Sequence, residues 1–218
     1  LLHYPHDMTP QPPQGVMPLT WRAPDMGFFG FRSGWNNVDD FIVQVFLKAH
    51  TIGGWNGPNA GTFRVLGLGQ LWAVGPTDRN RNRWEESVVM LPDDTHIHQG
   101  GCARLTHIDT HADGSGVVSF DYAQVYGSVA VDAHGRRVLS YERYGNIVEE
   151  GAFIDSGITG MRSLAVDYSG KSGAPCLMVV VDRIRGGKSR LWMWQLAHPG
   201  KGDRKGPAGD RYRSVAPG

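Results

Sequence analysis

The chain has 218 residues, of which 40% are hydrophobic, and its 22 basic and 21 acidic residues give a formal net charge of +1. This length and apolar content are enough for one sizeable core in a single domain. A nearly neutral chain has no strong field to attract nucleic acid or an anionic membrane surface, so neither partner is expected. The longest apolar run, residues 176–181, has the size of a strand and is far below the roughly 18 residues of a membrane span.

The N-terminal residues 1–24 are predicted to form an extended arm or linker, because a proline-rich stretch occupies residues 9–13. The first residues include no initiator Met, no basic segment and no hydrophobic segment typical of a signal peptide. We therefore expect the sequence to begin inside a longer or processed polypeptide.

Residues 25–199 are predicted to form one all-β domain, an antiparallel β-sandwich, because apolar and polar residues alternate in short runs and no long segment has a helical repeat. Residues 41–49 are apolar on one face and partly apolar on the other, which indicates a central strand covered on both sides. The 30 Gly and 13 Pro supply the turns. The predicted strands are residues 41–49, 62–68, 70–74, 87–91, 117–122, 137–141, 163–168, 176–181 and 190–196.

Two acidic residues, Glu85 and Glu86, precede the predicted strand 87–91. Neighbouring residues on a strand face opposite sides of a sheet, so the pair cannot act together on one atom. We interpret both as surface charge.

Three polar residues, His107, Asp109 and His111, alternate along one segment and could all point to one face of a strand. Imidazole and carboxylate groups suit Zn or a similar divalent ion, so these residues are a candidate metal site. Same-side residues on a strand are about 6.5 Å apart, however, which makes convergence on one ion difficult without a bulge. The alternative is a polar outer face with no cofactor.

The two cysteines, Cys102 and Cys176, permit one disulfide. Two buried free thiols are an equally good interpretation, because unpaired cysteine behaves as a small hydrophobic residue. The sequence does not decide between these alternatives.

A basic segment rich in Gly and Pro occupies residues 200–218. Its basic residues are mixed with Asp, Gly and Pro, so we favour a solvated loop or a frayed terminus over a contact with a polyanion.

One further segment, residues 53–63, reads Gly-Gly-Trp-Asn-Gly-Pro-Asn-Ala-Gly-Thr-Phe. It resembles the loop Gly-Gly-His-x-His-x-Asp-Ala-Gly-Ser-Phe in the C-terminal β-sandwich domain of the heparinase II/III-like polysaccharide lyases. Trp55 and Gly57 stand at the two histidine positions, and Asn59 stands at the aspartate position. In that family one histidine faces the sugar acid and the other belongs to a metal site, so the resemblance implies an inherited framework with a degenerate site.

Later segments resemble the family's following strands in the same order, so that the resemblance covers roughly residues 25–198. Where the family has a metal-binding aspartate, this chain has Val74 or Gly75, neither of which can ligate through a side chain. The family's final Trp-x-Leu-His is interrupted here by Ala197. The matching segments are residues 70–76, 119–126, 161–164, 176–184 and 191–198.

The substituted loop suggests a different use, contact with carbohydrate. The Trp55 indole can stack on a sugar ring while Asn56 and Asn59 hydrogen-bond its hydroxyl groups. The alternative is that Trp55 covers the core and that Asn56 and Gly57 form a tight turn.

Catalysis would require more than this loop. A β-elimination needs a neutralised carboxylate, a base and a proton donor. In the family, Tyr and His or Asn supply the base and acid, with important groups on a helical toroid that precedes the sandwich, and these 218 residues show no such helical domain. Whether the protein is an enzyme stays open, but this chain alone is not expected to be active.

We therefore predict a non-catalytic extracellular module with a structural, assembly or carbohydrate-contact role. The alternative is the sandwich part of a lyase that cleaves glycans containing uronic acid, with its helical toroid outside this chain. The resemblance implies a secreted, periplasmic or cell-surface location. It also suggests an acidic polysaccharide, an adjoining helical domain or a second copy of the chain as partners.

Overall fold

The computed structural model describes residues 9–47, 60–75, 86–90, 103–121, 128–129, 142–143, 146–147, 153–154, 158–186 and 189–196. Every regular element within these residues is a β-strand. No helix there is long and apolar enough to cross a membrane. The all-β prediction is confirmed for this part of the chain.

The first sheet is a five-stranded antiparallel meander. Its strands follow chain order: β1 (Thr20–Ala23), β2 (Phe28–Arg32), β3 (Ile42–Phe46), β4 (Thr62–Gly67) and β5 (Gln70–Ala73). The prediction of a central, doubly covered strand is confirmed for β3, which lies in the middle of the sheet. Val43 and Val45 are fully buried on its inner face, while Ile42 and Phe46 are partly buried on the other.

Strand β1 lies within residues 1–24, the segment that the sequence assigns to an extended arm. It pairs with β2 along its whole length, and Trp21 lies opposite Gly30. The absence of a side chain at Gly30 leaves room for the indole, since a Cβ there would lie 1.9 Å from Trp21 Cε2. Part of the arm is therefore an edge strand of the sheet.

The second sheet has four antiparallel strands in the order β14-β13-β8-β7, with β7 at Arg104–Thr110, β8 at Gly116–Asp121, β13 at Thr159–Asp167 and β14 at Leu177–Arg185. β13 and β14 pair over nine residues. This hairpin is longer than the predicted strands 163–168 and 176–181. The alternation of half-buried and exposed residues continues along β14 to Arg185, where the strand ends.

Three further pairs contain two residues in each strand. β6 (Val89–Met90) pairs with β15 (Leu191–Trp192), β9 (Ser128–Val129) with β12 (Phe153–Ile154), and β10 (Glu142–Arg143) with β11 (Asn146–Ile147). The predicted strand 137–141 and the terminal segment 200–218 lie outside the described residues.

The two large sheets share one hydrophobic core, as in a β-sandwich. Phe29 and Phe31 of β2 face this core from the first sheet, and Phe120 and Leu164 face it from the second, all fully buried. Burying apolar surface contributes about 25 cal/mol per Å², so this shared interior is the main term that holds the sheets together.

A polar contact also joins the sheets. The Tyr168 hydroxyl, just after β13, donates a hydrogen bond of 3.1 Å to the Phe31 carbonyl of β2. The Tyr168 backbone N–H donates to Ser115 Oγ at 2.8 Å. Burial, and next the nearby Cys176, raises the pKa of Tyr168 above its ordinary value, so the phenol keeps the proton that it donates.

Candidate binding surfaces

The predicted carbohydrate-binding residues Trp55, Asn56 and Asn59 lie outside the described residues, but the chain on either side of them is held firmly. Gly61 N–H donates to the Phe46 carbonyl at 2.7 Å. The proposed roles of Trp55, Asn56 and Asn59 stay predictions.

Arg162 of β13 lies at the end of the sandwich where Gly61 bonds Phe46, and it makes several hydrogen bonds there. It is 2% exposed, and its Nε and Nη2 donate to the two carboxylate oxygens of Asp182 at 2.7 and 2.8 Å. Its Nη1 donates to the carbonyls of Gly61 at 2.8 Å and Ser87 at 3.2 Å. Two-point contacts of this kind are strong and directional, so Arg162 ties β14 and two loop segments to β13.

The surface assignment of Glu86 is wrong. Glu86 is 1% exposed, and its Oε1 lies 3.5 Å from Nη2 of Arg64 on β4. The same guanidinium lies 5.0 Å from the centroid of the Phe46 ring. Arg64 compensates the buried carboxylate from a distant part of the sequence, which local charge patterning could not reveal. Glu85 lies outside the described residues.

Three tryptophans near this end, Trp72, Trp192 and Trp194, form what we call the tryptophan strip. Their exposed fractions are 44%, 39% and 46%. Exposed and half-buried residues alternate over residues 191–196, so Trp192 and Trp194 share one face of an extended segment. Trp72 follows two exposed residues on β5.

Internal hydrogen bonds fix all three indoles. Trp194 Nε1 donates to the Trp72 carbonyl at 2.8 Å, and Trp72 Nε1 donates to the Gly67 carbonyl at 2.9 Å. Trp192 Nε1 donates to Asp182 Oδ2 at 3.2 Å. Trp194 also packs edge-on against Phe63, with ring centroids 4.9 Å apart. The indole N–H groups are therefore satisfied internally, while ring surface stays open to solvent.

The strip is connected by hydrogen bonds to Gly61, which follows the segment that carries Trp55. Asp182 accepts from both Trp192 and Arg162, and Arg162 in turn holds the Gly61 carbonyl. Val74 N–H donates to the Gln195 carbonyl at 3.0 Å, which joins β5 to the segment after β15. From the sequence, these tryptophans are predicted only as parts of the strands 70–74 and 190–196. Their alternate spacing at positions 192 and 194 was the signal available for a shared exposed face.

The candidate metal residues lie on the outer side of β7 and just beyond its end. His107 and Asp109 are exposed on the strand, and His111 follows it. His111 Nε2 is 3.9 Å from Asp109 Oδ2. The ladder shifts between Leu105 and His107, and this irregularity lets Leu105 and Ile108 both pack against the core.

Within the described ranges, no group of three or more His, Cys, Asp or Glu residues is arranged to hold a metal ion. His96 and His98, which repeat the alternate spacing, lie outside those ranges. A zinc site that uses His107, Asp109 and His111 stays a prediction.

Cys176 is a free, half-buried thiol immediately before β14, whereas Cys102 lies outside the described residues. Burial, followed by the negative charge of Asp167, raises the pKa of Cys176 to about 11. The thiol is therefore protonated near neutral pH, which makes it a poor nucleophile and a poor metal ligand.

No protein-family model matches the chain, and no curated protein matches it. For the residues that it describes, the structure defines the class: an all-β fold with two large antiparallel sheets around one core and an exposed tryptophan strip. The resemblance to the lyase sandwich stays a prediction.

Proposed function

We propose that the protein is a non-catalytic, extracellular β-sandwich module that contacts carbohydrate through the tryptophan strip. The observation that carries the proposal is the group of three indoles, each 39–46% exposed and each held by an internal hydrogen bond. Preorganised aromatic faces can stack on the apolar faces of sugar rings at a low cost in side-chain entropy.

The neighbouring loop extends this argument. The segment with Trp55, Asn56 and Asn59 joins chain ends that lie at the same end of the sandwich as the strip. In this proposal the indoles provide stacking, while the amides of Asn56 and Asn59 provide hydrogen bonds to hydroxyl groups. The structural support is strongest for Trp192 and Trp194, because both lie on one face.

Binding to immobilised glycans tests the proposal. The array contains neutral polysaccharides such as cellulose and xylan beside acidic ones such as alginate and heparan sulfate. We expect Trp192→Ala and Trp194→Ala each to weaken binding about tenfold, since truncating an aromatic anchor at an interface costs roughly 1–2 kcal/mol. Trp55→Ala is expected to act in the same direction.

Val179→Ala is the matched control, because Val179 is an exposed apolar residue, at 43%, on the outer side of the second sheet. This variant should bind as the wild type does, and thermal unfolding verifies that each variant is folded. Failure of the wild type to bind any glycan would refute carbohydrate contact.

The lyase alternative has a separate readout. Cleavage of an acidic polysaccharide by β-elimination generates an unsaturated uronate that absorbs in the ultraviolet. We expect no such product from this chain. Its appearance would contradict the non-catalytic assignment and favour the sandwich part of a lyase.

A further inference from the structure

A cavity of about 540 Å³ opens on the outer side of the first sheet, and its lining reaches Leu71 of β5, the residue before Trp72. The loop between β2 and β3 forms one wall, and the turn between β4 and β5 forms the other. The volume lies in the range of about 300–1,000 Å³ that is usual for small-molecule sites. The lining surface is mostly apolar, and its apolar side chains are those of Pro13, Trp35, Val38, Ile42, Leu66 and Leu71.

Main-chain hydrogen bonds within the protein hold the two walls together. Leu68 N–H donates to the Asp39 carbonyl at 3.1 Å, and Gly69 N–H donates to the Val38 carbonyl at 3.0 Å. Both turn residues have positive φ, 52° for Leu68 and 67° for Gly69, as a two-residue type I′ turn requires. The cavity is therefore preformed.

Arg32, at the end of β2, gives this apolar cavity one positive charge. Its Cζ lies 3.9 Å from the centroid of the Trp35 ring, and its Nε donates to the Gly34 carbonyl. Within the described part of the chain, neither Nη atom of Arg32 has a hydrogen-bond acceptor, and no carboxylate lies within 4.0 Å of the guanidinium.

Asp40, the acidic residue in the lining, is hydrogen-bonded to the loop between β2 and β3. Its Oδ2 accepts hydrogen bonds from the backbone N–H groups of Asn36 and Asn37, and its Oδ1 lies 3.3 Å from Asn36 Nδ2. The carboxylate therefore fixes the loop and forms no ion pair with Arg32 within 4.0 Å.

We propose that this cavity binds a small organic carboxylate with an apolar body. The two Nη groups of Arg32 present parallel donors that suit the two oxygens of a carboxylate. Trp35, Val38 and Leu71 cover the apolar part of the ligand. The cavity adjoins the tryptophan strip at β5, where Trp72 Nε1 donates to the carbonyl of Gly67, a lining residue. The proposal uses none of the strip's indole rings and does not depend on carbohydrate binding.

A pair of nearly isosteric probes separates charge from shape. Phenylacetate and phenylacetamide differ in the group that would face Arg32, and titration of each into ¹⁵N-labelled protein is followed by amide chemical shifts. We expect phenylacetate to shift amides of residues 32–40 and 66–71 and to bind at least about tenfold more tightly than the amide, because a charge-assisted pair is lost in the latter.

Variants test the named contacts. Arg32→Gln should abolish the preference for phenylacetate over phenylacetamide, whereas Arg183→Gln, which removes an exposed guanidinium from β14, should retain it. Leu71→Glu adds a negative charge to a residue that is 48% exposed at the cavity. It should weaken phenylacetate binding about tenfold or more even if Arg32→Gln fails to fold.

Two further probes identify the source of the carboxylate. Tighter binding of N-acetylphenylalanine than of phenylacetate would support the site and assign it to a peptide C-terminus, and the reverse order would assign it to free organic acids. Equal binding of phenylacetate and its amide, tighter binding of glucuronate than of phenylacetate, or no binding at all would overturn the proposal.

Discussion

The charged residue with the most consequence for stability is Arg162, which is buried inside a β-sheet protein. Its guanidinium serves one carboxylate and two backbone carbonyls at once. Nothing in the local sequence distinguishes it from an exposed arginine on a strand, because its partners come from β14 and from two distant loop segments. The same limitation applies to Glu86, whose countercharge is on β4.

We expect Arg162→Met to destabilise the protein by about 3–5 kcal/mol, since removing one partner leaves the buried Asp182 charge uncompensated. Urea unfolding measures the change. The double variant Arg162→Met/Asp182→Leu should be less destabilised than the single variant, because the uncompensated carboxylate is then absent. A single variant within about 1 kcal/mol of the wild type would contradict the structural role of this pair.

Cys176 should react slowly with iodoacetamide at neutral pH and faster as pH rises toward its pKa of about 11. Peptide mapping by mass spectrometry distinguishes Cys176 from Cys102, and the urea-unfolded protein provides the comparison. The raised pKa also means that the folded state holds this proton more tightly than the unfolded state. The contribution to stability is therefore present below the ordinary thiol pKa and is lost as pH rises toward about 11. Fast alkylation of the folded protein at pH 7 would contradict this.

At the level of the elements, local pattern predicted strands at β3, β4, β5, β8, β13 and β14, and the predicted strand set omitted β1, β2 and β7. β3 was predictable because four buried apolar residues alternate along residues 41–47, namely Phe41, Val43, Val45 and Leu47. β7 was absent from the predicted strand set because Leu105 and Ile108, which both pack on the core, are three positions apart across a ladder irregularity. β1 was not predicted as a strand because its place in the sheet depends on the packing of Trp21 over Gly30, which is a contact between two strands.

Replacing Gly30 with alanine should displace Trp21 from β2 and destabilise the protein by roughly 1–3 kcal/mol, the usual range for overpacking. In Trp21→Ala/Gly30→Ala the colliding indole is absent. We therefore expect a double-mutant cycle of urea unfolding to show that the double variant is less destabilised than the sum of the two single variants. Simple additivity would mean that the two residues do not share this space.

We expect the replacement of Leu68 by glycine to stabilise the protein. The Leu68 φ of 52° is costly for a side chain with a Cβ, and its 48% exposure means that little buried surface would be lost. Leu68→Gly is expected to raise the free energy of unfolding by up to about 1 kcal/mol. Leu71→Gly, at an equally exposed position within β5, is the matched control and should destabilise the protein.

At the level of the whole molecule, the inner residues of the two large sheets form one cluster in the part of the chain that the structure describes. We therefore expect a single cooperative transition in urea. Far-ultraviolet circular dichroism and tryptophan fluorescence should give the same midpoint. Two separated transitions would show that the sheets unfold independently.

The all-β class followed from the alternation of apolar residues and the frequency of turn residues. The binding surfaces did not, because they arise from contacts between distant segments. Trp194 reaches Trp72, and Arg32 reaches the loop that precedes β3. The resemblance of residues 53–63 predicted a binding role for Trp55, Asn56 and Asn59. The tryptophan strip and the cavity beside Arg32 were found only in the structure.

The firm anchoring of Phe46, Leu47 and Gly61 has a consequence for protein engineering. Main-chain bonds from Gly61 to Phe46 and from Ala103 to Leu47, together with the Arg162 contact to Gly61, hold the residues on both sides of positions 48–59. We therefore expect a foreign epitope exchanged into this interval to leave the register between β3 and β4 unchanged, which would make the protein a scaffold for peptide display.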